Sequence, residues 1–402
     1  MNRTPDAACA THHNKIKPIS PKHMSTTLQI LETPCLLLDA DRLERNITRM
    51  RNKVDAHGIA LRLHVKTAKS IEVIRLALGG KITNGQITVS TLKEAEFFLA
   101  HGITDILYAV GITPNKLDHV LRLQRAGANL ILILDNAEAA NLVTRKGIAE
   151  GVRFPVLLEI DSDGQRSGIQ PDHPDLLEVA RIVHEGKGTL LQGVITYAGN
   201  SYGCTSVEEI RAIATQECRA AMQSAARLVG LPCPMISIGS TPTATFAENF
   251  AGITEVRAGV FMFCDLVMVG LGVCSIDDIA ISVLTTVLGH QADKGWIITD
   301  AGWMALSRDR GTAQQKIDQG YGKVCDLNGH PIGELNVLNV NQEHGIIGNR
   351  LGGRIDLHRF PVGTQLRIFP NHACATAAQY SCYHVVRDGT TVEAIWERFN
   401  GW

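Results

Sequence analysis

The sequence predicts a TIM-type (β/α)8 barrel followed by an antiparallel β domain, and three observations predict it. Eight short runs rich in Ile, Val and Leu recur between residues 61 and 257 with helical periods between most of them. Runs without polar alternation are buried on both faces, as parallel strands beneath crossover helices are. From about Gly270 the pattern becomes alternating and turn-rich, which is the signature of antiparallel strands. Finally, the polar residues of the first part collect just after the apolar runs, at the strand ends where such barrels carry their sites.

The elements follow in order. At 402 residues the chain fits two domains. Residues 1–27 carry His12, His13, Pro18 and Pro21 and too few large apolar residues to build a core, so this arm is expected to be disordered. The pair His23-Met24 reads as a cloning junction, so part of the arm is expected to be vector-derived. In residues 28–40 the run Cys35 to Asp39 is a strand expected to join the β domain. The barrel is assigned to residues 41–269 and the β domain to 270–402. Asp41 is expected to cap a helix that places Leu43, Ile47, Met50 and Val54 on one face. Barrel strands are expected at Leu61–Val65, Gln86–Val89, Asp105–Val110, Asn129–Leu134, Pro155–Ile160, Leu191–Thr196, Met235–Ile238 and Thr254–Arg257. In the β domain the runs ISVLTTVLG, GWIITDAG, GELNVLNVNQ, QLRIFPN and YSCYHVV read as strands.

Composition narrows the function. Thirty-nine Lys and Arg stand against 40 Asp and Glu, a formal charge of -1, so no general attraction to nucleic acid or to an anionic membrane is implied. Small-molecule partners are expected. The ten cysteines form no CxxC pair, and several lie in apolar runs where a thiol acts as a small hydrophobe. They read as reduced, in a cytoplasmic protein. No apolar run reaches the length that spans a bilayer.

Three groups of residues point to chemistry. Lys66 follows the first barrel strand, and a lysine shielded there can form a Schiff base with an aldehyde; a strand-end lysine can also simply reach solvent. The turn Gly239 to Thr243, GSTPT, gathers backbone N–H groups and hydroxyls at the start of a helix, which makes either an anion cradle or an ordinary cap. His372 and Cys374 would share one face of a strand, where they form a two-ligand metal site or merely a neighbouring imidazole and buried thiol. Other polar points are Asp161, Asp163, Arg166, Tyr197, Asn200, Tyr202, Asp300, Ser307, Asp309, Gln342 and His344.

The motifs HVKTAKS, DSDGQRSG, GSTPT, VRAGVFMFCD and PNHACAT, in that order from about Glu32 to Trp402, resemble fold-type III pyridoxal-phosphate enzymes built like alanine racemase. Within these the chain is similar to the branch holding D-threonine aldolase, eukaryotic D-serine dehydratase and D-threo-3-hydroxyaspartate dehydratase, and most continuously to the last. The resemblance implies that Lys66 carries pyridoxal 5'-phosphate. It also implies that Arg166 faces the cofactor's phenolic oxygen, alone or while paired with Asp161 or Asp163. Gly239, Ser240 and Thr241, with the backbone of Gly259 and Val260, would take the phosphate. Tyr197 would stack on the ring or reach its nitrogen, for which Arg257 competes.

The same resemblance makes His372 and Cys374 ligands of one divalent metal, Zn, Mn, Mg or Co. The aldolases usually have aspartate where Cys374 stands, so the implied reaction is dehydration of a D-3-hydroxy amino acid. D-threo-3-hydroxyaspartate would give oxaloacetate and ammonia. The alternatives are a D-serine dehydratase, a D-threonine aldolase, a metal-free racemase with Tyr321 as its second base, and a pyridoxal-phosphate carrier without enzymatic activity. His344 would serve as a base or anchor a carboxylate, with Gln342 a weaker substrate contact. A homodimer is implied on the same ground.

Overall fold

The computed structural model describes residues 26–402. The expected arm over 1–27 lies outside these except for Thr26 and Thr27, which form the short strand β1 (Thr26–Thr27). β2 (Cys35–Asp39) then leads into α1 (Ala40–Ala56). The cap of α1 is Asp39 and not Asp41, because the Asp39 carboxylate accepts from Arg42 N at 2.9 Å while Asp41 falls in the first turn. Leu43, Ile47, Met50 and Val54 are all buried on the inner face of the helix.

The barrel strands are β3 (Ala60–His64), β4 (Gln86–Val89), β5 (Asp105–Gly111), β6 (Asn129–Leu134), β7 (Phe154–Ile160), β8 (Thr189–Thr196), β9 (Met235–Ile238) and β10 (Glu255–Ala258). Each lies within a few residues of its expected place, and all pair in parallel into a closed ring in which β10 meets β3. The helices between them are α2 (Ile71–Ala77), α3 (Leu92–Ala100), α4 (Leu117–Arg125), α5 (Ala137–Glu150), α6 (Asp175–Glu185), α7 (Val207–Arg227) and α8 (Thr241–Phe246). Arg62, fully buried on β3, is bonded to Glu255 at 2.8 Å and to Asp105 at 2.7 Å. Those two acids begin β10 and β5, so an ion network fills the amino-terminal end of the barrel, with Arg62 Nη2 left without a partner. The carboxyl end is left open for the site.

After α9 (Leu266–Gly270) comes the second domain. Its elements are β11 (Ile281–Gln291), β12 (Trp296–Thr299), α10 (Trp303–Leu306), β13 (Gly322–Cys325), β14 (Pro331–Val340), β15 (Gly345–Asn349), β16 (Gln365–Pro370), α11 (Ala373–Ala377), β17 (Cys382–Arg387) and β18 (Thr391–Glu397). Strands β11, β12, β15, β14, β13 and β16 are neighbours in that order, and β16 returns to β11. The pairings are antiparallel except that β17 lies parallel to β2. β2 is also paired with β11, so the strand that precedes the barrel in sequence is part of the second domain's sheet. No helix among the described residues is long and apolar enough to cross a membrane.

Candidate active site

A cavity of about 460 Å³ lies over the carboxyl ends of the barrel strands, within the size range of small-molecule sites. Lys66, Arg166, Tyr197, Gly239, Ser240, Thr241, Arg257, Gly259, Val260, His372 and Cys374 all line it. The first nine come from the barrel, and the last two, with Asp309 and Gly311, come from the β domain. Gln342 and His344 do not line it. Both are exposed on the turn between β14 and β15, where the Gln342 carbonyl accepts from Met304 N.

The barrel side is built from the strand ends. Lys66 stands two residues past β3 and is exposed towards the cavity, so the shielding expected from the sequence is absent in the single chain. His64, two residues earlier and facing the same space, escaped the sequence reading. Burial holds its imidazole well below the ordinary histidine value, and the charges of Lys66 and Arg257 add to the effect. A neutral ring therefore backs the lysine. Glu159 at the end of β7 was also missed, although an acid inside the apolar run PVLLEI is itself a signal. Burial raises its pKa, opposed by the hydrogen bond from Ser167 and the charge of Arg166.

Arg166 pairs with Glu159 at 3.8 Å rather than with the expected Asp161 or Asp163. The reason is local: Asp161 accepts from the backbone N–H of Asp163 and Gly164, and Asp163 from that of Asn200. The Arg166 guanidinium also lies 5.0 Å from the centre of the Tyr197 ring, so the two candidates hold each other. Arg257 lies beneath them, donating to Ser237 Oγ at 2.7 Å and to the Thr196 carbonyl while still lining the cavity.

Opposite lies the turn after β9. Gly239 adopts φ +138, and a Cβ there would stand 2.2 Å from the Arg257 carbonyl oxygen. A Cβ on Gly259 would stand 2.4 Å from the His64 carbonyl. Only glycine permits these approaches. Ser240 and Thr243 close a reciprocal capping box on α8, and Thr241 Oγ1 accepts from Phe261 N at 3.3 Å. The turn is thus a helix cap and also a wall of the cavity. Together the strand-end lysine, the glycine-dependent turns after β9 and β10 and the cavity volume fit pyridoxal phosphate.

His372 and Cys374 are not on a strand. β16 ends at Pro370, His372 is the N-cap of α11, and Cys374 lies in its first turn. A tight turn nonetheless brings both side chains into the cavity. Burial would raise the Cys374 thiol pKa, but the hydrogen bond with His372, the charges of His372 and Lys66 and the hydrogen bond with Thr67 leave it lowered. Thr67 Oγ1 lies 2.9 Å from its sulfur. Burial alone would lower the His372 pKa, but hydrogen bonds with Asp309 and Cys374 raise it, and the two-fifths of its side chain left exposed tempers the effect. A thiol biased to thiolate beside an imidazole is a donor set for a divalent ion. Among the described residues no cluster of three or more His, Cys, Asp or Glu is arranged to hold one, so solvent or substrate would complete the sphere.

Known proteins resemble this chain in sequence and fold. The alanine racemase N-terminal domain matches residues 38–266 and the putative serine dehydratase domain residues 280–386. D-threo-3-hydroxyaspartate dehydratase of Delftia sp. (strain HT23) is 50% identical over 94% of this chain and 100% of its own length. D-serine dehydratase of Dictyostelium discoideum is 30% identical over 90% and 95%. The solved structure of the Delftia enzyme superposes with a TM-score of 0.90, covering 94% of this chain and all of that one. A cysteine-to-alanine variant of that enzyme is described in a metal-free form.

Proposed function

The chain belongs to the alanine racemase-like family of fold-type III pyridoxal-phosphate enzymes, and on that premise we propose that it is a metal-assisted dehydratase of D-3-hydroxy amino acids. D-threo-3-hydroxyaspartate is its substrate, with oxaloacetate and ammonia as products. The observation that carries this reading is the meeting in one cavity of Lys66 from the barrel with His372 and Cys374 from the β domain. Half-identity to a named dehydratase over nearly the whole chain supports it.

Lys66 would carry the cofactor, with Gly239, Ser240, Thr241, Gly259 and Val260 around its phosphate and Arg166 facing its phenolic oxygen. Arg257 or Tyr197 would meet the pyridine nitrogen. Pyridoxal phosphate supplies an electron sink for negative charge formed at the substrate's Cα. A divalent ion on His372 and Cys374, Zn, Mn, Mg or Co, supplies Lewis acidity at the β-hydroxyl.

The chain's own residues do the rest. Lys66 Nζ is placed to remove the Cα proton as general base. His64 stands beside it as a ring held neutral by burial, which spares the lysine a second adjacent cation when the proton arrives. Arg166, laid on the Tyr197 ring, places a planar cation at one wall of the cavity. Cys374 and His372 hold the departing oxygen's side of the cavity.

Dehydration is favoured over retro-aldol cleavage because a cysteine, Cys374, lines the cavity beside His372 where the aldolases usually have aspartate. A carrier role is disfavoured because the β domain supplies Asp309, Gly311, His372 and Cys374 to the site. In a homodimer paired head to tail, the form the family resemblance suggests, Gln342 and His344 would be offered to the neighbouring site. The test is incubation with D-threo-3-hydroxyaspartate, D-serine and D-threonine, measuring ammonia, keto acid and glycine. Ammonia with oxaloacetate from the first is the expected result, and glycine as the main product would replace the reading with aldolase.

A further inference from the structure

We infer that Asp309 is a positioning residue for metal binding, a carboxylate outside the ligand pair that fixes which nitrogen His372 turns towards the ion. The inference rests on the metal reading above. Asp309 Oδ2 lies 2.6 Å from His372 Nδ1, so that nitrogen is committed as a donor to the carboxylate and Nε2 is left with its lone pair for ligation. An imidazole without such a partner turns over about its ring bond and presents either nitrogen. A carboxylate on one edge removes that choice and makes the other nitrogen a better donor. Asp309 cannot also be a ligand of the same ion. The two ring nitrogens point to opposite sides, and the oxygen that meets Nδ1 is turned away from the position an ion on Nε2 would take.

The approach of Asp309 to His372 does not depend on that single bond, because both segments are anchored separately. The turn that carries His372 is held by Asp265, which accepts from Ala373 N at 2.8 Å, and by the Asn371 carbonyl, which accepts from Val267 N at 3.2 Å. The loop that carries Asp309 is stitched to the same turn through Thr312 N, which donates to Asn371 Oδ1 at 2.9 Å. Its entry is a backbone device: Ser307 adopts φ +73, a conformation that non-glycine residues take at a cost, and its hydroxyl accepts from Asp309 N at 3.2 Å. The strained residue redirects the chain after α10 into the cavity, where Asp309 forms part of the wall. Asp265 thus fixes the backbone of the metal turn, and Asp309 fixes its ring.

The experiment uses the purified holoenzyme, stripped of metal with a chelator and dialysed against graded Mn²⁺, with bound Mn²⁺ measured by elemental analysis and cofactor content by absorbance. Asp309→Ala should weaken Mn²⁺ binding about 10- to 100-fold with cofactor occupancy unchanged. Asp309→Asn keeps an acceptor oxygen for Nδ1 and should recover part of that loss, which a general effect on folding would not do. Mn²⁺ affinity of Asp309→Ala within about threefold of the native value, far less than loss of an outer-shell partner causes, overturns the inference while leaving the metal site intact. A native protein that takes up no Mn²⁺, with His372→Ala indistinguishable from it, overturns the metal reading and the inference together.

Discussion

Glu217 lies on α7, fully buried, and one of its oxygens accepts three hydrogen bonds: from Thr196 Oγ1 and Ala198 N at 3.2 Å each, and from Gly239 N at 2.9 Å. It braces the end of β8, which carries Tyr197, against the end of β9, which opens the Gly239–Thr241 turn. Replacing it by alanine strands two backbone N–H groups where water does not reach. At about 1–3 kcal/mol for each stranded donor, the loss is about 2–6 kcal/mol, a large part of the 5–15 kcal/mol that holds a typical domain together. Glu217→Gln keeps the accepting oxygen and places an amide where the second oxygen now has no partner, so it should cost only about 1–3 kcal/mol. The assay is urea unfolding of the holoprotein beside titration of pyridoxal phosphate into the stripped protein. Glu217→Ala should lose stability and cofactor affinity together, and Glu217→Gln markedly less of each. An alanine variant within about 0.5 kcal/mol of the native protein, as for a surface change, and with unaltered cofactor affinity would refute the brace.

Lys66→Ala should abolish the cofactor's yellow absorbance and nearly all turnover, since on the proposed mechanism one group both carries the cofactor and takes the Cα proton; an unchanged spectrum would move the attachment site elsewhere. His64 gives a pH dependence. Its folded-state pKa is depressed by burial and by Lys66 and Arg257, so the stability it contributes is complete above the ordinary histidine value of about 6.5 and is lost as pH falls from there towards the folded value. The urea midpoint should therefore drop on acidification below neutrality, and His64→Gln should flatten that drop; equal slopes in the two proteins would show that other groups set it.

The barrel was legible because its strands carry their evidence locally. A run such as NLILIL is buried on both sides and cannot be anything that faces water, and β6 spans those residues. The β domain was legible only in part. β13, four residues reading GKVC, and β15, reading GIIGN, are short and glycine-bearing, so neither offers the alternation that marks a strand. The expectation that His372 and Cys374 share a strand face failed because the chain caps a five-residue helix there, which apolar patterning over so short a stretch does not announce. Contacts between distant residues were the least accessible. Asp309 and His372 are 63 positions apart, and Glu217 meets Gly239 across 22, so their pairing is decided by the packing of two domains and of helix on barrel. Arg166 chose Glu159 over two nearer acids for the same kind of reason, since backbone N–H groups had already claimed Asp161 and Asp163.

The central claim, that the barrel lysine and the β-domain pair perform separable parts of one elimination, is tested most directly by following hydrogen exchange and ammonia release together in chelated enzyme. Native protein is stripped of divalent metal, supplied with D-threo-3-hydroxyaspartate in deuterated water, and watched by proton NMR while ammonia is assayed. On the proposed mechanism, removal of the Cα proton needs Lys66, whereas loss of the β-hydroxyl needs an ion at His372 and Cys374. The account predicts slow replacement of the Cα hydrogen by deuterium with little ammonia, and full ammonia release once a divalent ion is returned. Undiminished ammonia release from the rigorously stripped enzyme would contradict it.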